Sequence, residues 1–237
     1  MGQQRSSGGL SRRSLFVVVW LLGGCAVKHP DPPDEPTPAP ASNQACSPAR
    51  AQYVAAYHSY IGGDDVNVEQ AMSASCDGGY PTACDWVATS LLLGRHVPVD
   101  KDASHALEAK NEPLLDASCK KGCTADCATF GYKVFEHTGG ADFKQAVSIL
   151  DAACSAGDAD GCRTLALVLE QGEFPIPEEP VRAFTKYKTA CKLGDASSCG
   201  DVAYAFEKGK IVHHDPARAH EYYAQSCKLG FAKSCGK

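Results

Sequence analysis

Residues 180–199, PVRAFTKYKTACKLGDASSC, recur with substitutions as residues 216–235, PARAHEYYAQSCKLGFAKSC. The two stretches share a proline, an arginine, an alanine, a tyrosine, the sequence Cys-Lys-Leu-Gly and a final cysteine, all displaced by 36 residues. A fixed period of this size indicates a repeat protein, in which each unit packs against its neighbours.

A shorter form of this motif occurs five times along the chain. It consists of two cysteines separated by seven residues, with a glycine three residues after the first cysteine. The first cysteines of successive units are 43, 35, 37 and 36 residues apart. The cysteine pairs are Cys76 and Cys84, Cys119 and Cys127, Cys154 and Cys162, Cys191 and Cys199, and Cys227 and Cys235.

Each unit has the pattern of two helices joined by a tight turn. Apolar residues precede the first cysteine at helical spacing, and a second apolar run follows the second cysteine. The shared glycine suits the left-handed residue that ends a helix. Pro180 and Pro216 suit the first helical position, and Asp215 can cap the helix that follows it. The two cysteines of a unit therefore flank the turn, where they could form a disulfide.

The period, the glycines and the paired cysteines resemble the Sel-one-like (Sel1-like) repeat family, a relative of the tetratricopeptide repeat, over residues 66–236. The chain is most similar to the cysteine-rich secreted bacterial branch of that family. The resemblance implies an all-α, right-handed α/α solenoid of helix-turn-helix repeats, each closed by one internal disulfide. It implies no particular activity.

The N-terminus has the features of a bacterial lipoprotein signal. Arg12 and Arg13 precede an apolar run over residues 15–22, which is too short to span a bilayer. Residues 22–25, LGGC, are similar to a lipobox, in which Cys25 would receive the lipid. An ordinary signal peptide is the alternative. Ala26, rather than an aspartate, follows Cys25 and favours the outer membrane, facing the periplasm.

The predicted domain organisation has three parts. Residues 1–24 form the signal peptide, residues 25–45 the lipidated cysteine and a proline-rich tether, and residues 46–237 the solenoid. Residues 28–42, KHPDPPDEPTPAPAS, contain six prolines and predict an extended tether with nothing to bury. Removing residues 1–24 changes the formal charge from −5 to −8, because three arginines and no acid are lost. This acidic balance argues against a nucleic acid or an anionic lipid surface as partner.

Two regions depart from the regular repeat. Residues 46–62 predict a leading helix that is either a cap or the second helix of an incomplete repeat. In the second repeat, Pro113 should kink or break the helix that precedes Cys119.

The chain has 13 cysteines, and the resemblance implies one disulfide within each of the five repeats. Cys25 is assigned to lipid, and ten cysteines form the repeat disulfides. Cys46 and Cys123 remain and are predicted to pair with each other. In the alternative scheme, Cys123 pairs with Cys119 or Cys127 and leaves another thiol free. A zinc site at these three thiols is disfavoured in an exported protein.

Few residues suggest other chemistry. His213, His214 and Asp215, with His220, form a candidate metal cluster, although the same residues fit a loop and a helix cap. Ser118 and Lys121 match the Ser-x-x-Lys of serine β-lactamases, but the accompanying Ser-Asp-Asn and Lys-Thr-Gly motifs are absent. Tyr187, Tyr204, Tyr222 and Tyr223 line either a binding groove or the core. No catalytic, cofactor-binding or metal-binding residue is predicted, and no cofactor.

The sequence therefore favours a non-enzymatic, lipid-anchored envelope scaffold. Its partner would be an envelope protein or peptide that binds the repeat surface, as in related solenoids. The alternative function is hydrolysis of β-lactams or of peptidoglycan-like amides.

Overall fold

The computed structural model describes residues 31–42, 44–64, 67–138, 142–172 and 179–237, and within these ranges it contains helices and no strand. A short 3₁₀ helix, Ala232–Ser234, follows the last α-helix. The α-helices are α1 (Arg50–Ile61), α2 (Val68–Asp77), α3 (Pro81–Leu93), α4 (Lys101–Lys120), α5 (Thr124–Thr138), α6 (Phe143–Ser155), α7 (Ala159–Gln171), α8 (Pro180–Lys192), α9 (Ala196–Lys208) and α10 (Pro216–Lys228).

The helices stack as two-helix repeats. The repeats are α2–α3, α4–α5, α6–α7 and α8–α9, and α10 is the first helix of a fifth. Each helix packs against the next helix in the chain. Among the second helices, α5 also packs against both α3 and α7. This arrangement confirms the predicted solenoid. None of the helices in the described ranges combines the length and apolar character that a membrane crossing requires.

The turns follow the sequence pattern. The shared glycine of each unit has a left-handed backbone, with φ of +85° at Gly79 and +100° at Gly194. This conformation is readily adopted only by glycine, so the predicted role of the glycines is confirmed. At the start of α9, the side chain of Asp195 accepts a hydrogen bond from the backbone N–H of Ser198 (2.7 Å). Asp215 caps α10 in the same way, as predicted.

One core cluster extends from α5 to α10, within and between the later repeats. Phe184 of α8 and Phe206 of α9 are almost fully buried and meet edge to face, with ring centroids 5.6 Å apart. The hydroxyl of Tyr187 donates to Glu170 of the preceding repeat (2.9 Å). One repeat later, Tyr223 donates to Glu207 (2.7 Å). The same hydrogen bond therefore recurs at successive repeat interfaces.

Pro113 was predicted to kink or break the helix, and the structure shows no break. The helix α4 runs through Pro113 for 20 residues. Proline removes one helical hydrogen bond, but packing on the neighbouring repeat fixes the helix on both sides of it. Before the proline, the side-chain amide of Asn111 donates to the carbonyl oxygen of Pro81 (2.9 Å), and after it Leu115 is buried.

The proline-rich segment has no regular secondary structure over residues 31–42, and it is not separate from the solenoid. Residues 31–42, which we call the strap, lie against the first helices of the later repeats. Pro32 is buried, and Glu35 forms an ion pair with Lys186 (2.9 Å). The expectation that this segment has nothing to bury is therefore wrong for residues 31–42. The side chain of Lys186 is only 12% exposed.

Candidate functional site

The second helices form a cleft that we call the inner cleft. Its volume is about 410 Å³. Its walls come from α1, α3, α5 and α7, so α1 takes the place of a second helix at the start of the solenoid. The lining residues are Tyr53 and Tyr57 of α1; Thr82, Asp85, Trp86 and Thr89 of α3; Ala125, Ala128, Thr129 and Tyr132 of α5; Asp160, Arg163, Thr164 and Leu167 of α7; and Arg95 of the loop after α3.

Equivalent positions of successive repeats line the inner cleft. On α3, α5 and α7 they are the residue two before the second cysteine and the residues one, two and five after it. These positions fall on one side of a helix because they are spaced by three and four residues. This set was not among the residues predicted from the sequence, although its fixed distance from the second cysteine of each repeat would have identified it.

One wall of the cleft is aromatic. The indole ring of Trp86 lies edge to face with Tyr60, with ring centroids 5.0 Å apart, and with Tyr57 at 6.4 Å. Its indole N–H donates to Glu69 of α2 (3.2 Å). The guanidinium of Arg95 lies 5.8 Å from the centre of the Trp86 ring, within cation–π range. The wall thus combines rigid apolar surface with a positive group.

The opposite wall is charged. On α7, Arg163 forms an ion pair with Asp160 (3.6 Å), and its Nε lies 4.0 Å from Asp195. That Nε is buried and has no hydrogen-bond partner. The side chain of Asp160 remains 40% exposed, but it lies within the concave cleft. Burial there raises the pKa of Asp160 to about 6, against the opposing effect of Arg163, so the charge of the cleft changes near that pH.

A second cavity of about 300 Å³ lies between α8, α9 and the loop after α9. The predicted tyrosines divide between the core and this cavity. Tyr187 and Tyr223 are buried core residues, and Tyr222 packs against the core. Tyr204, which is 54% exposed, lines the cavity, with Tyr187 and Asp201. Tyr204 and Asp201 continue the inner-cleft positions onto α9, five and two residues after Cys199.

The described cysteines all form disulfides. In each repeat the structure joins the two cysteines of the motif, with Cα atoms 4.4 to 4.9 Å apart. Cys46 is joined to Cys123, with Cα atoms 4.7 Å apart, which is the pair named in the sequence analysis rather than its alternative. The predicted lipidation site, Cys25, lies outside the described residues, as does the signal peptide.

Comparison with known proteins agrees with this architecture. The solved structure of Pseudomonas aeruginosa 5086 has a TM-score of 0.50 and 16% sequence identity, and the alignment covers 87% of this chain and 75% of that one. A Sel1 repeat protein from Oxalobacter formigenes has a TM-score of 0.47 and 17% identity, over 79% of this chain and 76% of that one. The chain has the Sel1-like repeat fold.

Another similar structure is Helicobacter pylori cysteine rich protein B, with a TM-score of 0.42 and 23% identity, over 59% of this chain and 96% of that one. No protein-family profile matches the chain, and no curated protein does.

Disulfides persist in oxidising compartments, so six of them indicate that this Sel1-like solenoid is an extracytoplasmic protein.

The histidine cluster is not assembled as a ligand set. The Nδ1 of His214 lies 2.8 Å from the carbonyl oxygen of Glu207, and His220 contacts the carbonyl oxygen of Lys237. Asp215 caps α10 and pairs with Arg218. Within the described ranges, no three His, Cys, Asp or Glu side chains are grouped closely enough to hold a metal ion.

The arrangement around Ser118 does not support the hydrolase alternative. The hydroxyl of Ser118 donates to the buried carboxylate of Asp126, which also accepts a hydrogen bond from Thr82 (2.7 Å). This carboxylate joins α3, α4 and α5 of the Sel1-like solenoid. Lys120 pairs with Asp116 instead of Ser118, and Lys121 is an exposed residue at the end of α4. Ser118 therefore has a structural role.

Proposed function

We propose that this chain is a lipid-anchored scaffold of the bacterial cell envelope, and that its inner cleft binds a peptide or an extended segment of another protein. The feature that carries the proposal is the inner cleft itself, built from equivalent positions of consecutive repeats. A segment lying along it would meet the same positions on helix after helix. Stacked repeats commonly use such extended surfaces for binding.

The chemistry of the cleft suits a segment with both apolar and charged side chains. Trp86, Tyr57 and Tyr132 provide large rigid rings, which are frequent among residues that dominate binding energy. Arg163 and Arg95 can hydrogen-bond carboxylates or carbonyl oxygens, and Asp85 and Asp160 can accept from cationic groups. The cleft therefore offers specificity through charge and affinity through aromatic contact.

Photo-crosslinking in the intact envelope tests the cleft. With a photoreactive phenylalanine in place of Tyr132, we expect an adduct with one discrete protein. The same group in place of exposed Lys144 on α6 is the matched control and should give none. Replacing Trp86 with alanine should weaken capture at position 132 by about tenfold, because buried tryptophans at interfaces carry much of the binding free energy. Equal adducts at positions 132 and 144 would contradict the proposal.

The proposed anchor is Cys25. The lipobox-like residues 22–25 and the oxidised cysteines both support export, and Ala26 supports sorting to the outer membrane, facing the periplasm. Replacing Cys25 with alanine should abolish labelling by a fatty-acid analogue and move the protein from the membrane fraction to the soluble fraction. Cys46→Ala, which also removes one cysteine, is the control and should keep the label. Labelling that persists in the Cys25→Ala protein would refute lipid attachment.

A further inference from the structure

The strap crosses the solenoid outside the inner cleft. It runs from α10 to the turn after α6, in the direction opposite to the repeats, before the chain reaches the Cys46–Cys123 disulfide. At the turn, the N–H of Ala41 donates to the carbonyl oxygen of Gly157 (3.0 Å). A Cβ at Gly157 would lie only 1.7 Å from the carbonyl oxygen of Ala39. The strap therefore passes over a position where only glycine leaves room for it.

Ion pairs hold the other end of the strap. Asp31 pairs with Arg218 of α10. Asp34 pairs with Lys188 and, at 3.3 Å, with Lys192 of α8. We call Lys186, Lys188, Lys192 and Arg218 the basic row. The side chains of Lys186 and Lys188 are 12% exposed because the strap covers them.

These contacts suit an exchangeable occupant. The side chain of Asp34 is 62% exposed, and that of Glu35 is 43% exposed. Exposed ion pairs contribute little free energy each and are weakened by salt. The prolines keep the strap extended without internal hydrogen bonds, so a similar segment would dock with little loss of conformational entropy.

Contacts within the solenoid also hold the basic row. Lys186 also lies 3.5 Å from Asp151, and Arg218 pairs with Asp215. The ammonium group of Lys188 lies 5.8 Å from the centre of the Phe184 ring, and the guanidinium of Arg218 lies 4.2 Å from that of Phe206. Buried rings of the core therefore orient two cations of the row, which preorganises it for anionic side chains.

We propose that the basic row is a docking groove for an acidic, extended, proline-containing segment of a partner protein, and that the strap occupies this groove until the partner displaces it. Complementary charge selects the segment. Because Gly157 has no side chain, the backbone of the segment can lie against it. This groove is a second binding surface, on the first helices, and does not depend on the inner cleft.

A synthetic peptide of residues 31–42, labelled with fluorescein, provides the probe for the groove. The oxidised full chain with Asp31, Asp34 and Glu35 all replaced by lysine should release its own strap. The amide of Ala41, which donates to Gly157, should then exchange hydrogen faster than in wild type. We expect this variant to bind the peptide, and binding should weaken as salt is added. The wild-type chain should bind the peptide about tenfold more weakly or worse, because its tethered strap competes at high effective concentration.

Three matched comparisons decide the outcome. A peptide with amides in place of its three carboxylates should not bind. Adding Lys188→Gln and Lys192→Gln to the strap variant should abolish binding, whereas adding Trp86→Ala, in the inner cleft, should leave it unchanged. Unchanged exchange of the Ala41 amide in the lysine variant, equal peptide binding by wild type and that variant, or binding that survives loss of the two lysines would each overturn the proposal. Circular dichroism verifies that every variant retains its helices.

Discussion

Replacing both Cys46 and Cys123 with alanine should lower the free energy of unfolding by about 4 kcal/mol in the chain-entropy model. The reason is the length of chain that this disulfide closes, with a sequence separation of 77 residues. A disulfide restricts the unfolded chain more as the loop becomes longer. This bridge also joins the chain just before α1 to the second repeat, so its loss should release α1 first.

A repeat disulfide gives the matched control. Cys154 and Cys162 are also buried, but their sequence separation is only 8 residues. Replacing both with alanine should cost about 2.5 kcal/mol by the same model. Urea unfolding of the oxidised proteins gives both values, and hydrogen exchange shows whether α1 loses protection. Equal losses for the two double variants would show that loop length does not determine the effect.

The expected release of α1 has a consequence for binding. Tyr53 and Tyr57 form the α1 wall of the inner cleft. The ring of Tyr53 also packs edge to face on buried Tyr80, with centroids 5.2 Å apart. If α1 loses its position, the cleft loses one of its four walls. We therefore expect the long-range disulfide to maintain the proposed binding surface as well as the stability of the solenoid.

The fold was predictable from the sequence because its determinants are local and periodic. The cysteine pairs, the left-handed glycines and Pro180 and Pro216 each act within one helix-turn-helix unit. Pro113 shows the limit of local reasoning. Its effect on α4 depends on Asn111 and Leu115, which pack against another repeat, and no property of the segment alone reveals that packing.

The two proposed binding surfaces were harder to predict, because each depends on how the repeats stack. The positions of the inner cleft are regular in the cysteine frame, but only the stacking of the repeats brings Tyr53 of α1 into the same cleft as Asp160 and Arg163 of α7. The strap is a more extreme case. Glu35 and Lys186 are 151 residues apart in the chain. The proline-rich composition predicted an extended tether but contained no information about a docking site.

Replacing Lys133 with methionine should cost about 3 kcal/mol near pH 7. Lys133 of α5 is 9% exposed and pairs with Asp85 of α3 (2.9 Å) and Glu108 of α4 (2.7 Å). Burial alone would lower the pKa of Lys133, but the two carboxylates outweigh it and raise that pKa above its usual value. Methionine retains the packing of the aliphatic part of the Lys133 side chain but leaves two carboxylates without their cation. Removing only one partner of a buried ion pair is strongly destabilising.

The cost of Lys133→Met should decrease as the pH falls. Burial already raises the pKa of Asp85, with Lys133 opposing the shift, and removal of Lys133 should raise it further. A carboxyl group with a raised pKa binds its proton more tightly in the folded state than in the unfolded state. Acidification from about pH 7 towards the unfolded carboxyl pKa of about 4 should therefore stabilise the variant relative to wild type.

Two control variants separate loss of charge pairing from loss of packing. Exposed Lys144→Met on α6 makes the same chemical change at the surface and should alter stability by less than about 0.5 kcal/mol. Adding Asp85→Asn and Glu108→Gln to Lys133→Met removes the unpaired carboxylates and should recover most of the lost stability, because no buried charge remains. Urea unfolding near pH 7 and near pH 4.5 measures the free energy of unfolding of each variant. A loss that is the same at both pH values, and that the neutral triple variant does not recover, would mean that Lys133 acts through the packing of its methylene chain and not through its charge.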